Sequence, residues 1–435
     1  MFDSLTRVRL HNLNIIKKIG LIVIVISCVL QAQVNRNQVP WGAGISRGQD
    51  LQISLIEFSP GDHITDYFGH IAMVVSDTAL DVSRVYNFGL FSFDEGFISR
   101  FAMGRLIFKK GALSLGGSIQ YYVNSKRTII LHELNLPDKE KEILAKQLNW
   151  EVLPENSTYL YHHYNDNCAT RLRDMIDKAV HGQFADFTNK PARFTLREHT
   201  IRYTQHDPLM EWLLMFLMNN SIDQPVRQWD EMFLPAELCG FAQKFSYQDS
   251  LGKAHQLVEN SRMLFDSHRS PVPQTADNWP LWTIFCGIII ALIVIFLALY
   301  YPKNGKLRQK LFLTFCALNT FVFGFVGSVL FFMALFTDHV VTYYNENLLL
   351  ANPLTFLIFF LTIFMLFKPT LNGINTIKWL WYILAASTIL SLLLKLFPGF
   401  NQDNLMILSI LLPVNLSFAF AFYKISLNRD ILKNK

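Results

Sequence analysis

Charge is scarce in this chain. Only 17% of its 435 residues are Asp, Glu, Lys or Arg, while 51% are hydrophobic. That balance points to a membrane protein rather than a soluble one. The net charge of +5 is modest. No basic patch stands out, so nothing suggests a nucleic-acid partner. Cysteine is scarce too: Cys28, Cys168, Cys239, Cys286 and Cys316 are all there is. Cys28, Cys286 and Cys316 lie inside apolar runs. Only Cys168 and Cys239 are left for a water-exposed domain, where they either form one disulfide or leave Cys168 free. No glycine-rich phosphate loop, heptad run or internal repeat is visible. No metal-ligand constellation emerges either. His162 and His163 are adjacent and point differently, and Cys239 has no close partner in sequence.

What the chain does have is long apolar runs, and they organise it. Arg7, Arg9, Lys17 and Lys18 precede the run from Ile19 to Leu30, which ends in Leu30-Gln31-Ala32. A basic start, about a dozen apolar residues and a small residue read as a secretory signal. Residues 1–32 are therefore a signal peptide cut after Ala32, or an anchor that is kept. A lipoprotein-type cleavage at Cys28 is the weaker reading, because Cys28 falls within the apolar run.

Residues 33–275 are polar enough to form a folded extracytoplasmic domain. Leu51 to Ile56, Ile71 to Val75, Val82 to Leu90 and Thr128 to Leu134 read as strands. Ser59-Pro60-Gly61-Asp62 reads as a turn. Lys139 to Glu151 is helical, with Ile143, Leu144, Leu148 and Val152 on one face. The class expected is α+β, a short antiparallel sheet against helices. Residues 197–250 look helical. The apolar run Met210 to Met218 is too short to span a bilayer, so it is core or a surface that dips into the membrane. Ser270 to Pro280, with Pro271, Pro273 and Asp277-Asn278, reads as a linker.

Residues 281–435 are expected to be an all-α membrane domain of five transmembrane helices. The runs are Leu281–Tyr301, Leu311–Phe336, Leu348–Phe367, Ile377–Phe397 and Leu405–Tyr423. Each approximates the ~20 residues that cross the ~30 Å hydrocarbon layer. Lys303, Lys306, Arg308 and Lys310 follow the first run, Lys368 and Lys378 flank the next basic loop, and Lys424, Arg429, Lys433 and Lys435 crowd the tail. The two other loops, residues 337–347 and 398–404, hold no Lys or Arg. By the positive-inside rule the basic loops and the C-terminus are cytoplasmic and residues 33–275 lie outside.

The chemistry centres on Tyr164-Asn165-Asp166-Asn167-Cys168-Ala169-Thr170-Arg171-Leu172-Arg173-Asp174. A cluster of turn formers before a helical pattern is the look of a helix N-cap. Leu172, Met175, Ile176 and Ala179 then share one face. Cys168 is thus expected in the first turn of a buried helix, where the helix terminus lowers a thiol pKa. The bland reading, a small buried hydrophobe, stands beside it. A thiolate needs a base. His70, in Phe68-Gly69-His70-Ile71-Ala72, opens a buried strand. Alone it would be a satisfied core histidine; with Cys168 it reads as a cysteine–histidine pair. Asp81 or Asn87, on the following strand, would orient the imidazole.

These motifs resemble the circularly permuted papain-like fold of lecithin:retinol acyltransferase and its relatives. More closely, the chain resembles the Lnb-type lipoprotein N-acyltransferases. The resemblance rests on Ser59-Pro60-Gly61-Asp62, Phe68-Gly69-His70, Tyr86-Asn87-Phe88-Gly89, Asn167-Cys168-Ala169-Thr170-Arg171-Leu172-Arg173-Asp174, Phe233-Leu234-Pro235 and the Thr337-Asp338-His339 loop. It implies an acyltransferase of the inner membrane with a periplasmic catalytic domain, a cysteine nucleophile and no cofactor. The donor would be a membrane phospholipid, and the acceptor the α-amino group of a diacylglyceryl-cysteine lipoprotein. Arg171 and Arg173 would bind a lipid phosphate, or else be helix-surface charges paired with Asp174. His339 and Asp338 would cover the site or hold a head group, or else belong to an ordinary interfacial loop. Two rivals remain: a membrane-anchored NlpC/P60-like peptidoglycan hydrolase, and a non-enzymatic assembly protein with a Cys168–Cys239 disulfide.

Overall fold

Short runs of consecutive buried residues build the first strands: β1 (Leu51–Phe58) pairs antiparallel with β2 (His70–Asp77), and β2 with β3 (Val82–Leu90). The structure is a computed structural model that describes residues 39–91, 96–276, 281–301 and 305–427. The signal-like segment with Cys28, the Asp277-Asn278 breaker, Pro280, Lys303, and Arg429, Lys433 and Lys435 of the tail lie outside them. The described residues fall into two compact units. One holds the residues up to 91, Ile107–Lys190 and Met232–Arg269; the other holds residues 96–106, Pro191–Glu231 and those from Ser270 on.

The first unit is an α+β domain, the class expected. To the opening strands it adds β4 (Ile107–Leu113), β5 (Ile129–Leu134), β6 (Thr158–Leu160) and β9 (Val258–Phe265), in the order β6-β4-β3-β2-β1-β5-β9. Every pairing is antiparallel. The sheet therefore has seven strands rather than the short one expected. β4, β6 and β9 were invisible as apolar runs because exposed residues interrupt them. A separate two-stranded ribbon joins β7 (Ser246–Gln248) to β8 (Ala254–Gln256). β2 is the middle strand, and Ile71 to Val75 are all buried, which is why it reads as a continuous apolar run. One core cluster joins Ile56, Phe58, Ala72, Val74, Val85 and Ile129 to Tyr122 of the helix Leu115–Asn124. The helices Asp138–Glu151, Cys168–Ala179 and Pro235–Lys244 pack on β1 and β2.

The second unit is helical. Five of its helices are long and apolar enough to cross a membrane, beginning at residues 281, 306, 346, 371 and 405. The short helix Pro208–Leu217 packs into their core through Trp212, Met215 and Phe216. Its last carbonyls are exposed by the helix end and need donors. Asn345 and Asn347 supply them, donating to Leu217 and Phe216 at 2.9 Å each. Of the two readings for this run, core and surface, its buried face decides for core. The loop after Phe336 is tied to the segment before β4: the Asp338 N–H donates to the Met103 carbonyl at 2.9 Å, and Arg105 pairs with the Asp338 carboxylate at 2.7 Å.

Candidate active site

The Cys168 helix begins where the sequence placed it. Asn167 is extended at the N-cap, and its Oδ1 accepts from the N–H groups of Ala169 (2.8 Å) and Thr170 (3.0 Å). The Thr170 hydroxyl closes a capping box by accepting from the Asn167 N–H. Asn167 also donates from Nδ2 to the carbonyls of His163 (2.7 Å) and Phe233 (2.9 Å). One side chain thus caps the nucleophile helix and fastens it to the turn that leads into the helix Pro235–Lys244.

Cys168 is a free thiol, partly open to solvent, and so is buried Cys239. The disulfide that the non-enzymatic reading required is not formed between them. The expectation of a lowered thiol pKa is corrected. Desolvation by the dense surroundings pushes the Cys168 thiol up to about 11, and it outweighs the backbone N–H groups of Ile71, Ala169 and Cys168 itself and the Arg127 charge, all of which pull it down. The Ile71 N–H reaches the sulfur from the residue after His70. The β2–β3 ladder starts only at Met73, so the first residues of β2 are not paired with β3.

His70 is governed by Asn87. Asn87 Oδ1 accepts from the Gly89 N–H at 2.8 Å, which identifies that atom as the oxygen. His70 Nε2 lies 3.0 Å from the same oxygen and must therefore donate to it. The proton sits on Nε2, and Nδ1 keeps its lone pair. Burial, with the Arg127 charge adding to it, lowers the His70 pKa to about 4 against the Asn87 bond. Gly89 has its own reason to be glycine: a Cβ there would lie 2.5 Å from His70 Cε1. Asp81, the other orienting candidate, is in the left-handed turn at the opposite end of the β2–β3 hairpin from His70. Of the two candidates the structure brings only Asn87 to the imidazole.

Several residues at the site had not been singled out. Arg127 is 2% exposed; it donates to the carbonyls of Ser59 (2.6 Å) and Phe58 (3.3 Å) and to Asp66 (2.9 Å). Its guanidinium lies over the Tyr122 ring, which stacks on Phe58 and faces His70 at 6.2 Å. The hydroxyls of Tyr122, Tyr159 and Tyr161 are held protonated by burial first and by proximity to Cys168 second. Tyr159 donates to the Phe88 carbonyl. The Tyr159-x-Tyr161 alternation was the available signal for two of these. Arg127 and Tyr122 had none, because only long-range packing brings them to the thiol.

The proposed lipid-phosphate arginines are both occupied. Arg171 makes a two-pronged pair with Asp166 (2.6 and 2.8 Å) and covers the Tyr159 ring. Arg173 pairs with Asp174 at 2.8 Å, which is the structural alternative named for it. In the helical unit, His339 Nδ1 bonds the Thr337 hydroxyl at 2.8 Å, and Asp338 is the partner of Arg105. Cys239 does have partners, against the sequence expectation: Glu57 and His132.

The fold and site define an α+β domain in which a helix-capped thiol and an amide-oriented imidazole are brought to the same end of the central strand, in one chain with five membrane-length helices among the described residues. Residues 37–203 match the family described as the Lnb N-terminal periplasmic domain. The match agrees with the resemblance to Lnb-type lipoprotein N-acyltransferases. No curated protein and no solved structure matches the chain.

Proposed function

We propose that the protein is a lipoprotein N-acyltransferase that moves an acyl chain from a membrane phospholipid, through a thioester on Cys168, to the α-amino group of a diacylglyceryl-cysteine. The reading is carried by one arrangement: a thiol approached by backbone N–H groups, one of them from Ile71, the residue after His70, whose imidazole is held by Asn87 with Nδ1 left as the basic nitrogen. His70 Nδ1 takes the Cys168 proton as sulfur attacks the ester carbonyl, then returns it to the departing lysophospholipid oxygen. With the imidazole at about 4 and the thiol at about 11, the resting pair is neutral, so the proton moves during attack rather than before it. The backbone N–H groups around Cys168 receive the oxyanion. The lipoprotein amine then attacks the thioester while His70 accepts its proton. An α-amino group with a pKa near ~8 is partly neutral already. Asn87 orients His70. Arg171 and Arg173 keep a lipid-phosphate role only if a phosphate displaces their carboxylate partners, and His339 and Asp338 a head-group role at the outer loop.

In this reading the sheet domain is periplasmic, residues 281–435 are the membrane domain and the C-terminus is cytoplasmic. A peptidoglycan hydrolase would use the same thiol pair but leaves five spans with no task beyond anchoring. The test is the intact mass of the detergent-purified protein after incubation with a synthetic phospholipid. Wild type is expected to gain one fatty-acyl mass, released by hydroxylamine and transferred to an added diacylglyceryl-cysteine peptide. Cys168→Ala gains none. A wild-type enzyme that gains no acyl mass but cleaves muropeptides would establish the hydrolase instead.

A further inference from the structure

Away from the Cys168 site, three elements of the same unit converge side chains that the acyl-transfer reading does not use. Glu57 is on β1, His132 on β5 and Cys239 on the helix Pro235–Lys244. Leu55 is the cross-strand partner of His132, so Glu57 is its diagonal neighbour on the same sheet face. The carboxylate, the imidazole and the sulfur each offer one atom, and these lie within 4.8 Å of one another. His132 Nε2 and Glu57 Oε2 are 3.2 Å apart. The His132 side chain is 2% exposed and Glu57 15%.

The surroundings hold the imidazole as ligand shells do. His132 Nδ1 lies 2.9 Å from Ser261 Oγ on β9, the acceptor for its N–H when Nε2 binds metal; the Gln243 side-chain N–H, one helical turn beyond Cys239, is 3.1 Å from Nδ1 and also donates to that hydroxyl at 3.2 Å. A ring nitrogen fixed on one side leaves the other aimed at the ligand. A thiolate, an imidazole and a carboxylate suit zinc and not the hard cations, which prefer oxygen alone. The charges also close: thiolate and carboxylate neutralise a divalent ion, whereas among the described residues Glu57 has no Lys or Arg ion pair. Three protein ligands leave a fourth tetrahedral position, and the residual exposure of Glu57 lets water fill it.

We propose that Glu57, His132 and Cys239 bind a zinc ion that clamps the helix Pro235–Lys244 onto the sheet. On binding, the metal–sulfur bond replaces the Cys239 S–H bond and the proton leaves to solvent. The clamp bears on the nucleophile helix through Phe233, two residues before this helix, whose carbonyl accepts from Asn167. The proposal does not depend on which reaction Cys168 performs.

The test is metal content and cobalt substitution of the full-length protein in detergent. Elemental analysis after zinc loading is expected to give one zinc per chain. Replacing zinc by cobalt is expected to give a near-ultraviolet thiolate-to-cobalt charge-transfer band, present in Cys168→Ala and absent in Cys239→Ser. Ser261→Ala leaves all three ligands in place and is expected to weaken zinc binding by about 10- to 100-fold. A wild-type protein that takes up no stoichiometric metal overturns the proposal, whatever the variants do. So does a charge-transfer band that survives in Cys239→Ser.

Discussion

Two titrations carry the chemistry at the residue scale. His70 is lowered to about 4 and Cys168 raised to about 11, chiefly by burial in both cases. The resting thiol is therefore expected to react slowly with iodoacetamide at neutral pH, and its rate to climb with pH up to about 11. Mass-resolved alkylation of Cys168 checks this; a fast rate that is flat from pH 5 to 8 would mean a preformed thiolate–imidazolium pair. The same shifts affect stability. His70 and His163 both sit near 4, below the 6.5 of an unfolded histidine. Between pH 6.5 and 4 the unfolded chain takes up protons that the native one refuses. Stability should fall as pH drops through that window, on the order of a few kcal/mol, and His70→Gln should flatten the slope of the melting temperature against pH. Gly89→Ala is the sharper probe of geometry. It drives a methyl into the imidazole, and a displacement near 1 Å costs about 10²-fold in acyl transfer. His70→Ala should cost about 10²- to 10⁴-fold or more, with the fold intact by circular dichroism.

Two junctions matter at the scale of elements. Asn167 joins the Cys168 helix to the Phe233 turn, so Asn167→Ala loses a cap and strands two carbonyls together. About 1–3 kcal/mol of stability should go, read as a lower thermal midpoint. Asn167→Asp, which keeps the accepting oxygen, should recover part of it. The second junction ties the segment before β4 to the loop after Phe336. The Arg105–Asp338 pair there is more than half exposed and screened by solvent, so breaking it with Asp338→Asn should leave the thermal midpoint nearly unchanged. Gly104 is different. It is left-handed, and a Cβ would lie 2.8 Å from the backbone of Asp338 and His339. Gly104→Ala should therefore cost more than Asp338→Asn, by about 1–3 kcal/mol.

The charge pattern of the whole molecule makes a claim about direction. Lys306, Arg308 and Lys310 are in the first turns of the helix Gly305–Phe336, and Lys368 and Lys378 bracket the start of the helix Leu371–Leu394, the ends proposed to face the cytoplasm; residues 337–347 have no Lys or Arg. Tyr344, 96% exposed in that loop, is the place to ask. Tyr344→Cys should react with a membrane-impermeant maleimide added to intact spheroplasts, and Arg308→Cys only after lysis. The reverse pattern would put the sheet domain in the cytoplasm and remove its access to exported lipoproteins.

Local rules were enough for much of this protein. The Asn167 cap, the Cys168 helix, the strands β1 to β3 and the five spans follow from residue type and spacing, because caps, alternation and long apolar runs act over a few neighbours. β4, β6 and β9 did not, since an edge or half-exposed strand carries too few apolar residues to stand out. Sequence alone also left Asp81 and Asn87 equal; the hairpin put one beside His70 and the other at its far end. It expected an acidic thiol from a helix end, and only the packed surroundings of Cys168 reversed the sign. Arg127 and Tyr122 beside the thiol, and Glu57, His132 and Cys239 on the sheet, lie far apart in the chain. Desolvation and convergence of that kind depend on distances across the fold, and those exist only once the sheet has formed.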